Sequence, residues 1–98
     1  MIVRIVKMTF RNEEIENLKK VFENSKEKIR IFPGVLHLEL LQDKEDPSVF
    51  CTYSHWASAD DLENYRISPL FKETWAKTKP LFKSKAEAWS SERLHHLA

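Results

Sequence analysis

Two strand-like runs, Val35 to Gln42 and Val49 to Trp56, flank the polar segment Asp43-Lys44-Glu45-Asp46-Pro47-Ser48, and this spacing constrains the fold more than any other feature. Both runs are rich in aliphatic, β-branched and aromatic side chains, and the segment between them is a turn short enough for an antiparallel hairpin. The two strands are therefore expected to be neighbours. Their register stays open by one residue: His37 and His55 either face each other across the hairpin or lie on opposite faces.

The rest of the chain supplies partners for that hairpin. Residues 2 to 10 alternate, with Ile2, Val6, Met8 and Phe10 interleaved with Val3 and Ile5, so both sets are apolar and the strand is expected to be covered on both faces. Asn12 reads as an N-cap followed by Glu13 and Glu14. Ile15, Leu18, Phe22, Ser25 and Ile29 recur at three- and four-residue steps, which gives a helix one face for a sheet, and Phe32-Pro33-Gly34 stops it. Ser58-Ala59-Asp60-Asp61 resembles a capping box with a helix start near residue 59. Ser68-Pro69 is a second N-cap with proline at the first helical position, so the helical region breaks near residue 68. Pro80 ends it, and Ala86 to Arg93, carrying Trp89, is a last strand.

The order strand, helix, strand, strand, helix, strand with short connections predicts a ferredoxin-like βαββαβ domain over residues 1–98, a four-stranded antiparallel sheet with helices on one face. Helices cover only one face, yet Val35, Leu41, Val49, Cys51 and Tyr53 put apolar side chains on the other. An apolar face of that kind marks an association surface, so a homodimer made sheet to sheet is expected. A partner subunit suits a chain of 98 residues, which removes only about 60 to 65% of its unfolded surface from water.

Composition excludes several functions. Sixteen basic against fifteen acidic residues provide no field for nucleic acid or an anionic membrane. The local cluster Lys19, Lys20, Lys26, Lys28 and Arg30 lies in the second half of a helix, where cations complement the macrodipole. No stretch reaches the roughly 20 apolar residues of a membrane span, and Met1-Ile2-Val3-Arg4 lacks the form of a secretory signal, so a cytoplasmic location is expected. Cys51 is the only cysteine, which rules out an internal disulfide or a cysteine zinc cage. Gly34 is the only glycine, so no glycine-rich phosphate loop exists. His95 and His96 are adjacent and cannot form the i, i+4 pair a helix offers a metal, and neither a metal nor an organic cofactor is expected.

What remains is aromatic. Trp56, Tyr65, Phe71 and Trp75, with Phe82, surround the second helical region and suit a flat apolar ligand such as a quinone or polycyclic phenol, although on a two-layer domain this small aromatics on a helix facing a sheet are usually core. His37 and His55 are the candidate catalytic residues, since a neutral imidazole near pH 7 is a natural base for a phenol or hydroquinone proton. Glu39, on the same alternation as His37, would orient it or line the dimer interface.

Pro33-Gly34-Val35-Leu36-His37-Leu38-Glu39-Leu40, the Asp46-Pro47 turn, Trp56-Ala57-Ser58 and the run from Tyr65 through Ser68 to Phe71 resemble the antibiotic biosynthesis monooxygenase domain family. The resemblance runs from the first strand to Arg93-Leu94. It implies a dimeric α+β barrel in which two ferredoxin-like sheets pack face to face. The family includes cofactor-independent quinol and anthrone monooxygenases and haem-degrading enzymes. The tryptophan and haem-ligating histidine of the haem-degrading branch fall here on Tyr65 and Trp75, and its first-strand asparagine on Lys7, which leaves no haem ligand. The resemblance thus implies a cofactor-independent monooxygenase acting on a quinol- or anthrone-like aromatic, with a non-catalytic dimeric ligand-binding module of the same fold as the alternative.

Overall fold

A computed structural model describes residues 1–98. Strand β1 (Ile2–Thr9) is followed by α1 (Ile15–Arg30), β2 (Val35–Gln42), β3 (Val49–Trp56), α2 (Ala59–Arg66), α3 (Pro69–Thr78) and β4 (Glu87–Glu92). The four strands form one antiparallel sheet in the order β2-β3-β1-β4, with the helices on one face. This is the ferredoxin-like α+β fold that the element order predicts. No helix is long and apolar enough to cross a membrane.

Local chemistry sets most of the boundaries. In the hairpin turn the Asp43 carboxylate accepts from the backbone N–H groups of Glu45 and Asp46 at 3.0 and 2.8 Å. Asp46 accepts in turn from the Ser48 hydroxyl and N–H, and these two bonds hold its carboxyl below the usual carboxylate range. Ser58 caps α2 by accepting from the Asp61 N–H at 3.1 Å while donating its hydroxyl to the Asp61 carboxylate at 3.0 Å. Ser68 caps α3 by accepting from Phe71 N–H at 3.1 Å, with Pro69 at the first helical position, so the helical region breaks where its caps predict.

Two expectations are corrected. Asn12 is no cap: residues Asn12–Glu14 form a turn of 3₁₀ helix, α1 begins at Ile15, and no side chain caps either start. Val35 does not share a face with Leu41. The β2–β3 register shifts between Val35 and His37, which pairs Val35 with Trp56 and turns it toward the helices. There it is 6% exposed and packs with Trp56 and Leu62.

A second core cluster, Met8, Phe10, Leu18 and Phe50, fills the other end of the helix–sheet interface. Phe10 lies 5.7 Å from Phe50 and 5.2 Å from Phe82 between ring centroids. Gly34 joins α1 to β2 at φ +92°, a conformation L side chains rarely adopt, and a Cβ there would overlap the side chain of Asp61. Because Asp61 belongs to the α2 cap, it cannot withdraw without releasing that cap. Gly34→Ala is therefore expected to lower unfolding free energy by about 2 kcal/mol or more, measured by urea titration; a loss below about 0.5 kcal/mol would contradict this account.

Candidate functional site

Alternation along the strands divides the chemistry of the sheet. One row facing the helices contains Arg4, Ser54, Leu38 and Ser90, and the next contains Val6, Thr52, Leu40 and Ala88. Between this face and the helices lies a cavity of about 400 Å³, within the range of small-molecule sites. Fifteen of its twenty-two lining residues are hydrophobic, and members of both core clusters border it. It is the gap the two clusters leave between them.

All four sequence-predicted binding residues, Trp56, Tyr65, Phe71 and Trp75, line this cavity. They form a continuous series, with centroids 5.0 Å apart from Trp56 to Tyr65, 5.3 Å from Tyr65 to Phe71 and 5.7 Å from the Phe71 ring to the stacked Trp75. Trp56 is 2% exposed, and its indole N–H donates to Ser54 Oγ at 3.0 Å, which satisfies the polar edge of a buried ring. Tyr65 differs. Burial alone pushes its hydroxyl up to about 12, so it stays protonated and keeps a proton to donate.

The two histidines stand on the other side of the sheet. His37 pairs with His55 in register, on the face that also carries Val3, Ile5, Tyr53, Cys51 and Trp89. Of the two registers the sequence leaves open, the structure adopts the one in which they face each other, and the imidazoles stack with centroids 4.8 Å apart. His37 Nε2 donates to the Glu39 carboxylate, and Tyr53 meets His55 edge-on at 4.9 Å. Arg93 places Nη2 3.2 Å from both ring nitrogens of His55. A guanidinium only donates and a neutral imidazole has one acceptor nitrogen, so at most one of these contacts is a hydrogen bond, and that bond favours the neutral ring. Burial first, then the charge of Arg93, lowers its pKa. The expectation that a histidine and the aromatic wall would share one site is thus corrected: alternation puts a full sheet thickness between them.

Sequence reasoning missed the polar groups of the cavity. Arg4 and Arg66 are its only charged lining residues, and it contains no carboxylate or imidazole. The signal for Arg4 was legible, because it occupies the same alternation as Ile2, Val6 and Met8. No group of three or more histidine, cysteine or acidic side chains is arranged to hold a metal ion.

Comparison with known proteins identifies relatives for this arrangement. The model of the family described as antibiotic biosynthesis monooxygenase matches residues 1–77. Among solved structures, a protein from Nitrosomonas europaea superposes with a TM-score of 0.90 at 18% identity, covering 97% of this chain and all of the other. A conserved protein from Methanosarcina mazei gives 0.89 at 17% identity, covering 95% and 93%. A point mutant of SnoaB from Streptomyces nogalater, a cofactor-independent oxygenase, gives 0.87 at 14% identity over 98% and 95%. No curated protein matches the sequence.

The environment of His55 has a measurable sign. Its folded pKa lies below 6.5, so as pH falls through 6.5 the unfolded chain takes up the proton first and stability declines, levelling off only below the folded value. In a pH titration followed by NMR, His55 is expected to titrate below 6.5, and Arg93→Ala to move its midpoint upward. A midpoint unchanged by that substitution would show that the guanidinium does not hold the ring neutral.

Proposed function

The chain belongs to the antibiotic biosynthesis monooxygenase family, and from that premise we propose that it is a cofactor-independent monooxygenase acting on a quinol- or anthrone-like aromatic in the helix–sheet cavity. The observation that carries this reading is the 400 Å³ apolar cavity walled on one side by Trp56, Tyr65, Phe71 and Trp75. Flat rings lie against such a wall with gains from both burial and ring geometry. The Tyr65 hydroxyl supplies a hydrogen bond to a substrate oxygen.

For an anthrone-type substrate the chemistry balances without a cofactor. The deprotonated ring system passes one electron to O₂, the resulting radical and superoxide combine in a carbon–oxygen bond, and the hydroperoxide loses water to leave a carbonyl. One oxygen atom stays on the ring, and the other leaves as water with the two hydrogens of the reacting carbon. Protein contributions to such a sequence are positioning, exclusion of bulk water and stabilisation of the anion.

A second reading has its own support. The cavity holds no side chain that acts as a base near pH 7, which suits a non-catalytic module that binds a small aromatic ligand. Oxygen consumption with a panel of anthrones and hydroquinones separates the two. Uptake above the protein-free rate supports oxygenation, and Tyr65→Phe is then expected to lower turnover roughly tenfold, the worth of one hydrogen bond. Ligand-induced thermal stabilisation without uptake would instead identify a binding module.

The open face of the sheet is proposed as the contact with a second copy of the chain. Leu41 and Trp89 are each 47% exposed there, beside Ile5, Cys51 and Tyr53. In that assembly His37, His55 and Glu39 belong to the interface. Sedimentation velocity at micromolar concentration is expected to give a dimer and Trp89→Glu to shift it toward monomer; a monomeric wild-type protein would refute the assembly.

A further inference from the structure

We propose that Arg4 makes the cavity select aromatic ligands in their ionised form, pairing its guanidinium with a phenolate or enolate oxygen while the aromatic wall holds the rings. The inference deepens the oxygenase reading and rests on it for one point only, that the ionised ring is the species that reacts.

Four observations converge on Arg4. It lies on the helix-facing side of the sheet in a row with Ser54, two pairs away from the Ile2–Trp56 pair and two from Val6–Thr52. Its single side-chain hydrogen bond runs from Nη1 to Ser90 Oγ at 3.0 Å, whereas a guanidinium has five N–H donors. No carboxylate lies within ion-pairing distance, in contrast to Arg66, which meets Glu63 at 3.4 Å. Finally, no buried side-chain nitrogen or oxygen lacks a partner, so the uncommitted donors of Arg4 are not sealed in the core but remain accessible.

A partly buried cation bordering an apolar space, with no anion of its own, is costly unless a ligand provides one. Burial and, secondarily, the charge of Arg66 both weaken its hold on its proton. Guanidinium remains charged at neutral pH even so. An oxyanion delivered there would gain a charge-assisted hydrogen bond from donors that are free to meet it.

The consequence for chemistry is that no protein base is required. An opposite charge within about 4–6 Å lowers the pKa of an acid by about one to three units, so the anionic share of a phenol or enol bound at Arg4 rises about ten- to a thousandfold, with its proton released to solvent. The bond broken is the substrate O–H, the proton goes to water, and Arg4 keeps its own. This accounts for a cavity with two cations and no carboxylate or imidazole.

The test uses 2-hydroxyanthraquinone, whose ionisation changes its visible absorption, and its 2-methoxy counterpart, which cannot ionise. Neither consumes O₂, so binding is read apart from turnover. With the full chain, the bound hydroxy compound is expected to ionise at least one pH unit below the free compound, a tenfold or greater preference for the anion. Arg4→Met should abolish that displacement, Arg4→Lys should keep part of it, and binding of the methoxy compound should be the same in all three proteins. Thermal melts verify that the variants are folded. Absence of binding, or an ionisation midpoint unaffected by Arg4→Met, would overturn the proposal. A lowered midpoint without oxygen uptake on any anthrone would leave Arg4 in place and remove the oxygenase reading; uptake that Arg4→Met leaves at the wild-type rate would do the reverse.

Discussion

The pairing of β2 on β3, with its one-residue shift between Val35 and His37, governs which chemistry stands on which side of the sheet. Side chains alternate strictly along a strand, so a regular register would put Val35 on the same face as His37, Glu39 and Leu41. The shift instead lets Val35 enter the core beside Trp56 and Leu62 while the three residues beyond it keep their face. Hydrogen bonds from the backbone and from Arg30 hold the irregularity in place. Gly34 accepts from the Ala57 N–H at 2.8 Å, the Val35 N–H donates to Phe32 at 3.1 Å, and Arg30 Nη1 donates to the Val35 carbonyl at 2.9 Å. The left-handed glycine is what allows these bonds and the close approach of Asp61 together.

With the register fixed, the sheet acts as a partition between two electrostatic settings. Toward the helices the environment is apolar, and of the two cations that line the cavity Arg66 meets Glu63 while Arg4 has no carboxylate partner. On the open face a stacked imidazole pair is bracketed by Glu39 on one side and Arg93 on the other. Burial and then the charge of Arg93 oppose protonation of His55, and the neighbouring imidazole adds to that opposition. A face edged by Ile5, Leu41 and Trp89 is suited to contact with another protein surface, and its histidines are a sheet thickness away from a molecule in the cavity.

Much of this was legible in the sequence, and the parts that were not share a physical cause. Caps and breakers are local, so Ser58, Ser68, Pro69 and the Asp43–Ser48 turn could be read from neighbouring residues alone, and the ferredoxin-like order followed from them. The aromatic wall was legible too, since Trp56, Tyr65, Phe71 and Trp75 surround one helical region. Facing is not local. Whether His37 and His55 meet, and on which side, depends on a register that hydrophobic pattern leaves ambiguous when both faces carry apolar residues, and the shift after Val35 has no residue signature of its own. Asn12 illustrates the converse failure, a residue with the right cap chemistry standing where the chain enters a 3₁₀ turn first.

Placing a base on the far side of the sheet changes the chemical requirement on the cavity rather than merely relocating a residue. An oxidation that draws its electrons from the substrate needs the anion, and an anion can be obtained by giving the proton to a side chain or by making the ionised form the stable one. The first route requires an imidazole or carboxylate, which would face strong desolvation in a cavity lined mainly by apolar side chains. The second requires only a fixed cation and a donor. Arg4 and the un-ionised Tyr65 hydroxyl meet that description, and their opposite responses to the same burial are complementary: Tyr65 is held protonated by it, while Arg4 remains charged in spite of it. An apolar wall beside a fixed cation strengthens its attraction for an oxyanion, so the surroundings that disfavour an ionised base there are the ones that favour charge stabilisation.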